Sequence, residues 1–135
     1  MDKEVDLLVI GGGAAGMSAA LFAKLNGLDV LLCEKSAQVG GTSATSGGTI
    51  WAPGSHLSVQ AGVPDDIEQA RIFLKSVVGE RGGEDLREAF LASSAAMVRD
   101  LDEKTTVKLN ACLAHPDYVK NQLGEAFGGR ALAPA

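Results

Sequence analysis

Three glycines near the N-terminus have the spacing of a phosphate-binding turn. Gly11, Gly13 and Gly16 form G-x-G-x-x-G between the apolar run VDLLVI and an alanine-rich segment. In such a turn the first glycine permits the tight bend, the second lets the backbone approach a pyrophosphate, and the third lets a helix pack on the strand. The helix that begins with Ala14 and Ala15 would offer unpaired N–H groups and a partial positive charge to the phosphates.

An acidic residue follows at the position expected for a ribose contact. Glu34 ends the second apolar run, LDVLLCE. A carboxylate at the end of that strand can accept hydrogen bonds from ribose hydroxyls, and its charge disfavours a 2′-phosphate. The turn and the acid together predict a dinucleotide site, and they fit FAD and NAD equally well.

The stretch VGGTSATSGGTIWAPGSH, residues 39–56, favours FAD over NAD. In an NAD-type domain the second strand usually leads into another helix, whereas this stretch is rich in glycine and hydroxyl side chains. FAD extends beyond its ADP half and needs further backbone donors and hydroxyls. Glycine pairs at 40–41 and 47–48 would let the main chain approach the cofactor closely.

The elements that position these residues form one βαβ unit. Residues 5–10 and 28–34 are predicted to be parallel strands buried on both faces, since they are nearly continuous apolar runs. The helix between them is closed by Asn26-Gly27, a signal for a left-handed cap. The fold class predicted is therefore α/β, a Rossmann-like FAD-binding βαβ unit with additional helices.

The rest of the chain predicts packing helices and little sheet. Helices are expected in the segment that opens with Pro64 and again in 84–104, where four apolar residues are predicted to share a buried face: Leu86, Phe90, Met97 and Leu101. Residues 105–113 predict a short strand, and the tail from residue 114 reads as loop. Two parallel strands do not complete a doubly wound sheet, so we expect residues 1–135 to be the N-terminal part of the FAD-binding domain of a larger two-domain flavoprotein, without its substrate or cap domain.

Composition excludes several other classes of protein. The 135 residues carry a net charge of −5, with no basic cluster to follow a nucleic-acid backbone. No apolar run reaches the length of a membrane span, and the N-terminus is too acidic for a signal peptide. Cys33 and Cys112 fit neither a metal site nor a disulfide framework. We therefore expect no metal, no nucleic acid, no membrane span and a cytoplasmic location.

A family resemblance joins these features. The segment from Asp6 to Gly54 resembles the FAD-binding N-terminus of the fumarate reductase and succinate dehydrogenase flavoprotein superfamily. Three stretches are similar to the 3-ketosteroid dehydrogenase branch in particular: GGTSATSGGTIWAPGSH, AGVPDDIEQARIFLKSVVGE and HPDY. The resemblance implies an FAD-dependent oxidoreductase acting on CH–CH groups, with a small-molecule substrate of the steroid class.

The resemblance also assigns roles to individual residues. It implies that the three glycines of the turn hold the pyrophosphate, that Glu34 holds the adenosine ribose, and that Lys35 and Ser36 flank it. The rest of the flavin would be lined by Gly41, Thr42, Ser43, Ser46, Gly47 and Gly48. Some relatives bond the flavin covalently to a histidine in this segment; none stands between residues 40 and 48 here, so FAD is expected to be noncovalent.

Tyr118, in HPDY, is the catalytic candidate. It matches a tyrosine that in the ketosteroid 1-dehydrogenases lies in the substrate pocket and assists a second tyrosine acting as base. That second tyrosine lies beyond residue 135 in such enzymes, so we expect this chain to lack the complete catalytic set. Thr45 departs from the pattern, since the ketosteroid enzymes often carry tyrosine at its position.

Two alternative functions stay open. One is a fumarate- or urocanate-type reductase of the same superfamily, for which Arg130 would be the local candidate to bind a substrate carboxylate, although an isolated loop arginine is usually a surface group. The other is a truncated, non-catalytic chain that binds only nucleotide. Among the remaining candidates, we expect His56 and His115 to be exposed without a role and Trp51 to pack under its loop.

Overall fold

The computed structural model describes residues 3–63 and 65–135. The chain divides into two compact units, Met1–Gly48 and Thr49–Ala135. The α/β class and the Rossmann-like βαβ unit predicted from the sequence are confirmed. The predicted helix start at Pro64 lies outside the described residues.

The first unit is the βαβ unit. Strands β1 (Leu7–Ile10) and β2 (Val30–Cys33) pair in parallel, with Leu7 opposite Val30 and Ile10 opposite Cys33. Helix α1 (Ala14–Leu25) connects them, and the chain leaves it through Gly27 at φ +85°, the left-handed conformation that the Asn-Gly pair predicts.

Only one face of the two-stranded sheet is buried. Val9 is 8% exposed, whereas Leu8 and Ile10, whose side chains point the other way, are 52% and 83% exposed. The prediction that β1 is buried on both faces is therefore wrong for one face. Beyond β2 the chain forms a 3₁₀ turn, Gly41–Thr45, where sequence periodicity indicated no element.

The second unit contains a three-stranded antiparallel sheet. Its strands are β3 (Ile50–Trp51), β4 (Leu109–Ala111) and β5 (Ala131–Pro134), in the order β3-β5-β4. Leu132 lies opposite both Ile50 and Ala111. The central strand corrects the sequence-based prediction of loop for the tail, because four residues are too few to show periodicity and are fixed by pairing with distant segments.

Three helices cover this sheet. They are α2 (His56–Gln60), α3 (Ile67–Val78) and α4 (Glu84–Lys104). The Ser55 hydroxyl accepts from the Ser58 N–H at the start of α2, and the Asp66 carboxylate accepts from the Glu68 N–H at the start of α3. No helix in the described ranges is both long enough and apolar enough to cross a membrane.

The face that helix α4 turns inward agrees only in part with the one that its sequence predicts, at Leu101 and the partly buried Met97. Its buried residues are Leu91, Ser94, Val98 and Leu101, at spacings of three and four. Leu86 and Phe90 are 72% and 37% exposed. The core of the unit is the cluster Ala52, Val98, Leu109 and Leu132, with Ile50, Leu57, Met97 and Ala111 packed against it.

This core makes the central strand a sensitive position. Leu132 is fully buried, so Leu132→Ala is expected to lower the free energy of unfolding by about 2–5 kcal/mol. Leu123 is 75% exposed, so the same change there is expected to stay within about 0.5 kcal/mol. Urea denaturation followed by the fluorescence of Trp51, the single tryptophan and a residue of β3, measures both. Equal effects of the two changes would contradict this core.

Candidate functional site

The turn after β1 is built by contacts that require glycine. Gly11 has φ +102° and donates its N–H to the Cys33 carbonyl oxygen at 2.7 Å. A Cβ on Gly16 would stand 1.9 Å from the Gly11 carbonyl oxygen, which is far inside van der Waals contact. The first and third glycines of the motif are therefore required by the backbone conformation and packing of the turn, independently of any ligand.

The middle glycine faces open space. Gly13 has φ −75° and ψ −178°, a conformation open to any residue, and a Cβ there would meet nothing within 4 Å. Gly13 begins helix α1 without any side-chain cap. The N–H groups of Ala14, Ala15 and Gly16 thus lack an intrahelical acceptor and carry the positive end of the helix dipole. This arrangement suits an anion such as a pyrophosphate.

The glycine pair at 40–41 packs on the same turn. The Gly40 N–H donates to the Gly12 carbonyl oxygen at 2.6 Å, and Gly13 and Gly40 form an isolated parallel bridge. A Cβ on Gly41 would lie 3.1 Å from the Gly13 Cα. The sequence predicted that this pair lets main chain approach the cofactor; the structure shows that it first lets two backbone segments meet.

Glu34 ties the turn to the end of β2. Its Oε2 accepts from the Gly12 N–H at 2.6 Å, and its Oε1 accepts from the Ser36 N–H at 3.0 Å. The Ser36 hydroxyl lies 3.1 Å from the same Oε1 and 2.6 Å from the Gln38 carbonyl oxygen. These bonds, the one from Gly12 foremost, lower the pKa of Glu34 to about 2, so the side chain is an anion at neutral pH.

A groove beside Glu34 gives a ligand access to this carboxylate. The groove has a volume of about 380 Å³ and is lined by Ile10, Gly11, Cys33, Glu34 and Lys35. Each carboxylate oxygen can accept two hydrogen bonds, so Oε2, with only Gly12 assigned to it, retains one site for a ligand hydroxyl.

The hydroxyl-rich segment is exposed and partly bonded to itself. Thr45 donates to the Thr42 carbonyl oxygen and Ser46 to the Ser43 carbonyl oxygen, both at 2.8 Å. The Ser46 hydroxyl also accepts from the Gly48 N–H at 3.1 Å. Ser46 can therefore offer a ligand only an acceptor site. Thr42 and Ser43, like the rest of residues 41–48, are solvent-exposed.

These features fit the FAD that the sequence predicts. The N-terminus of helix α1 has no side-chain cap, and the space beside Gly13 that a Cβ would occupy is empty of protein atoms. An ionised Glu34 lies next to an open groove. The structure brings together Gly11, Gly13, Gly16, Glu34 and Ser36, with Gly41 against Gly13. Lys35, Thr42, Ser43, Ser46, Gly47 and Gly48 follow along the same unit.

Tyr118 lies in the second unit, at a small pocket. The pocket has a volume of about 80 Å³ and is lined by Thr49, Trp51, His115, Pro116, Asp117, Tyr118 and Ala131. Tyr118 is 84% exposed, and its ring meets the His115 ring edge-on with centroids 5.4 Å apart. His115 is thus half-buried, whereas the sequence predicted it to be exposed.

Sequence reasoning missed a buried ion network behind this pocket. Arg130 is 2% exposed; its Nε lies 3.0 Å from Asp65 Oδ1, and its Nη1 donates to Asp117 Oδ2 at 2.7 Å. The expectation that Arg130 is a surface group is wrong. Trp51 packs as predicted, on Phe90 with ring centroids 6.0 Å apart, and its indole N–H also donates to Asp117 Oδ1 at 2.7 Å.

His56 is the second correction. Its side chain is 10% exposed, and its Nε2 lies 3.2 Å from Asp102 Oδ2, so it links the start of α2 to α4. The His56 hydrogen bond, with a further one from Lys108, lowers the pKa of Asp102 below its usual value. The sequence carried no signal for this pair, because the two residues lie far apart along the chain. Among the described residues no cluster of three metal-ligating side chains occurs.

Known flavoproteins resemble the chain in sequence and in fold. The FAD binding domain family model matches residues 6–133. The 3-oxosteroid 1-dehydrogenase of Rhodococcus opacus is 36% identical over 132 residues, 98% of this chain and 25% of that protein. The 4-oxocyclohex-2-ene-1-carboxylate 5-dehydrogenase of Sinomonas cyclohexanicum is 36% identical over 129 residues, 96% of this chain and 22% of that protein.

A solved structure gives the same result. The 3-ketosteroid delta1-dehydrogenase of Sterolibacterium denitrificans, in complex with 1,4-androstadiene-3,17-dione, matches with a TM-score of 0.90 and 36% identity. The match covers 97% of this chain and 23% of that one. The chain thus spans about a quarter of the length of the relatives it matches. The cofactor predicted from the sequence, FAD, is confirmed.

The glycines of the turn can be separated by one matched pair of changes. Gly16→Ala is expected to destabilise the first unit by roughly 1–3 kcal/mol with or without cofactor, because its Cβ meets backbone. Gly13→Ala is expected to leave folding unchanged and to weaken FAD binding by about tenfold or more, because its Cβ enters the space left for the pyrophosphate. Circular dichroism on heating and FAD titration measure the two effects. A Gly13→Ala chain that binds FAD normally would contradict the turn geometry.

The Glu34 carboxylate gives a pH dependence. Because its pKa in the folded chain is depressed to about 2 from 4.5, its contribution to stability is fully present above about pH 4.5 and is lost as the pH falls towards 2. Carbon NMR of the Glu34 carboxyl is expected to show a midpoint near 2. Ser36→Ala removes one of the hydrogen bonds and is expected to raise that midpoint. A midpoint of 4.5 in the unsubstituted chain would exclude these bonds in solution.

Proposed function

The chain belongs to the FAD binding domain family, and from that premise we propose that it is the flavin-binding part of a dehydrogenase that oxidises CH–CH bonds beside a ring ketone, with a 3-ketosteroid as substrate. The observation that carries the proposal is the likeness over 97% of the chain to a 3-ketosteroid dehydrogenase, at 36% identity and a TM-score of 0.90. The ring ketone is supported more broadly than the steroid, since another relative is named for a 4-oxocyclohexene carboxylate.

The first unit would hold the cofactor. Gly13 and the N-terminus of α1 bind the pyrophosphate, while Glu34 binds the adenosine ribose through the free site on Oε2, with Lys35 and Ser36 beside it. The remainder of the cofactor is lined by Gly41, Thr42, Ser43, Ser46, Gly47 and Gly48. Residues 40–48 contain no histidine, cysteine or tyrosine, which supports noncovalent binding.

The second unit would contribute to the substrate site. When bound, FAD supplies the acceptor for a hydride. The proposed oxidation removes one substrate hydrogen as a proton and the neighbouring hydrogen as a hydride, leaving a C=C bond conjugated with the ketone. Tyr118 presents its phenol at the mouth of the pocket, where the hydroxyl can donate a hydrogen bond or pass a proton. The pocket wall formed by Trp51 and Ala131 offers apolar surface to the ring of the substrate.

The competing function is a carboxylate reductase of the same superfamily. Arg130, the local candidate for binding a substrate carboxylate, is 2% exposed and holds Asp65 and Asp117 instead. This burial removes the local candidate of this chain, while the resemblance places the carboxylate-binding arginines of such reductases beyond residue 135.

The proposal includes the context of the chain. Residues 1–135 are assigned to one FAD-binding domain, which acts together with further flavoprotein domains. The family match over 6–133 and the quarter-length coverage of the relatives support this assignment. The proposed location is the cytoplasm, and the two thiols, Cys33 and Cys112, are unbridged, as a reducing compartment requires.

Two binding experiments test the function. The purified chain is expected to show a flavin spectrum, with the flavin released by acid, since binding is noncovalent. Titration of the full-length flavoprotein proposed above with 1,4-androstadiene-3,17-dione is expected to change the absorption spectrum of the bound flavin. Tyr118→Phe is expected to weaken steroid binding about threefold to tenfold through the loss of one hydrogen bond.

The same titration with fumarate separates the alternatives. A response to fumarate and none to the steroid would replace the dehydrogenase by the reductase. A colourless chain that takes up no added FAD would leave only the non-catalytic alternative.

A further inference from the structure

We propose that Asp117 is a positioning residue that, held by Trp51 and Arg130, fixes the Tyr118 phenol at the mouth of the pocket. The inference rests on the proposed function, because it deepens the role given there to Tyr118. Asp117 precedes Tyr118 directly in the chain, so what holds the first residue sets the direction of the second.

The Tyr118 side chain is not held by burial. It is 84% exposed, and its aromatic neighbour, the His115 ring, is itself only half-buried in the same loop. An exposed tyrosine ordinarily samples several rotamers, each of which places the phenol oxygen elsewhere. The backbone that carries Tyr118 therefore sets the region that the phenol can reach from these rotamers.

That backbone is tied at Asp117. The Asp117 N–H donates to the Ala126 carbonyl oxygen at 2.9 Å, and the Ala126 N–H returns a bond to Asp117 Oδ2 at 3.0 Å. The same Oδ2 accepts from Arg130 Nη1 at 2.7 Å, and Oδ1 accepts from Trp51 Nε1 at 2.7 Å. The loop is thus joined at one residue to Trp51 of β3, to Arg130 directly before β5 and to Ala126.

The partners of Asp117 are themselves fixed. Arg130 Nε lies 3.0 and 3.1 Å from the two oxygens of Asp65, and its Nη1 also donates to the Gly124 carbonyl oxygen at 2.9 Å. The side chains of Arg130, Asp117 and Asp65 are 2%, 2% and 5% exposed. Planar guanidinium groups with several bonds to buried acceptors allow little movement.

The same bonds occupy the Asp117 carboxylate. It accepts three N–H donors, and its side chain is 2% exposed. Asp117 therefore acts on the pocket through Tyr118 and Trp51. Trp51 connects the two, since its N–H binds Asp117 while its ring lines the pocket and stacks on Phe90.

The experiment uses the single tyrosine as its probe. The full chain labelled with 3-fluorotyrosine gives one fluorine NMR signal, from Tyr118, and nitrogen relaxation of its backbone amide reports local motion. Trp51→Phe removes the indole N–H that binds Asp117 and keeps an aromatic ring stacked on Phe90. Asp117→Asn replaces one acceptor oxygen by an NH₂ group, which cannot accept a hydrogen bond from the N–H donors around it. Both variants are expected to increase the motion of Tyr118 in this chain and, in the full-length flavoprotein, to weaken the affinity for 1,4-androstadiene-3,17-dione about tenfold.

A matched control distinguishes positioning from general loss of stability. Leu91→Ala leaves a cavity under the buried face of α4, away from the residues that line the Tyr118 pocket. This change is expected to lower the melting temperature and to leave both the Tyr118 signal and the steroid affinity unchanged.

The possible outcomes separate this inference from the proposed function. Unchanged Tyr118 relaxation in Trp51→Phe would overturn the positioning role, and this variant decides the matter if Asp117→Asn fails to fold. Absence of any steroid response in the unsubstituted full-length flavoprotein would overturn the proposed substrate instead, while the relaxation measurements on this chain would still decide whether Asp117 holds Tyr118.

Discussion

Both hydrogen-bonding groups of Gly12 are engaged, and the first unit depends on them. Its N–H binds the Glu34 carboxylate at the end of β2, and its carbonyl oxygen accepts from the Gly40 N–H. Gly12 is buried, and a Cβ on it would lie 3.1 Å from Val39 Cγ1 and 3.3 Å from Glu34 Oε2. Gly12, a position that the G-x-G-x-x-G motif does not specify, therefore joins the turn both to the end of β2 and to the hydroxyl-rich segment.

This arrangement explains why the N-terminus of α1 stays open. A turn stabilised by an N-cap side chain would occupy the N–H groups that a pyrophosphate needs. Here the stabilising bonds are made one residue earlier, at Gly12, and the helix begins at Gly13 without a cap. Glu34, an anion at neutral pH, places its negative charge at the end of β2, and in the proposed function this charge disfavours a 2′-phosphate. The geometry therefore favours a ligand with free ribose hydroxyls, as in FAD.

The parts of the structure that the sequence predicted are those set by neighbours along the chain. The βαβ unit follows from two apolar runs, spaced glycines and an Asn-Gly cap, all of which act locally. Strand β5 could not be predicted, because its conformation depends on pairing with Ile50 and Leu109. Arg130 was wrongly predicted to be a surface residue, because its partner Asp65 lies in a distant segment of the chain. The buried face of α4 was predicted only in part, because apolar periodicity does not reveal which of two stripes meets the sheet. FAD was predictable because the turn and the segment that follows it lie within one stretch of chain.

The two units are held in their conformations by different kinds of contact. Backbone contacts between glycines stabilise the first unit, and a buried ion network stabilises the Tyr118 loop of the second. In the proposed function the first unit offers bare backbone to phosphates, and its contacts are made between glycines and by one carboxylate. The second unit presents the Tyr118 phenol from an exposed loop, and this loop is held where Asp117 and Asp65 share the Arg130 guanidinium. Removing one of the three charged side chains from such a buried network leaves an uncompensated charge and lowers the free energy of unfolding by about 3–5 kcal/mol. Replacing all three by apolar side chains of similar volume would be tolerated. The network is therefore better explained by the geometry it imposes at Asp117 than by the stability it adds.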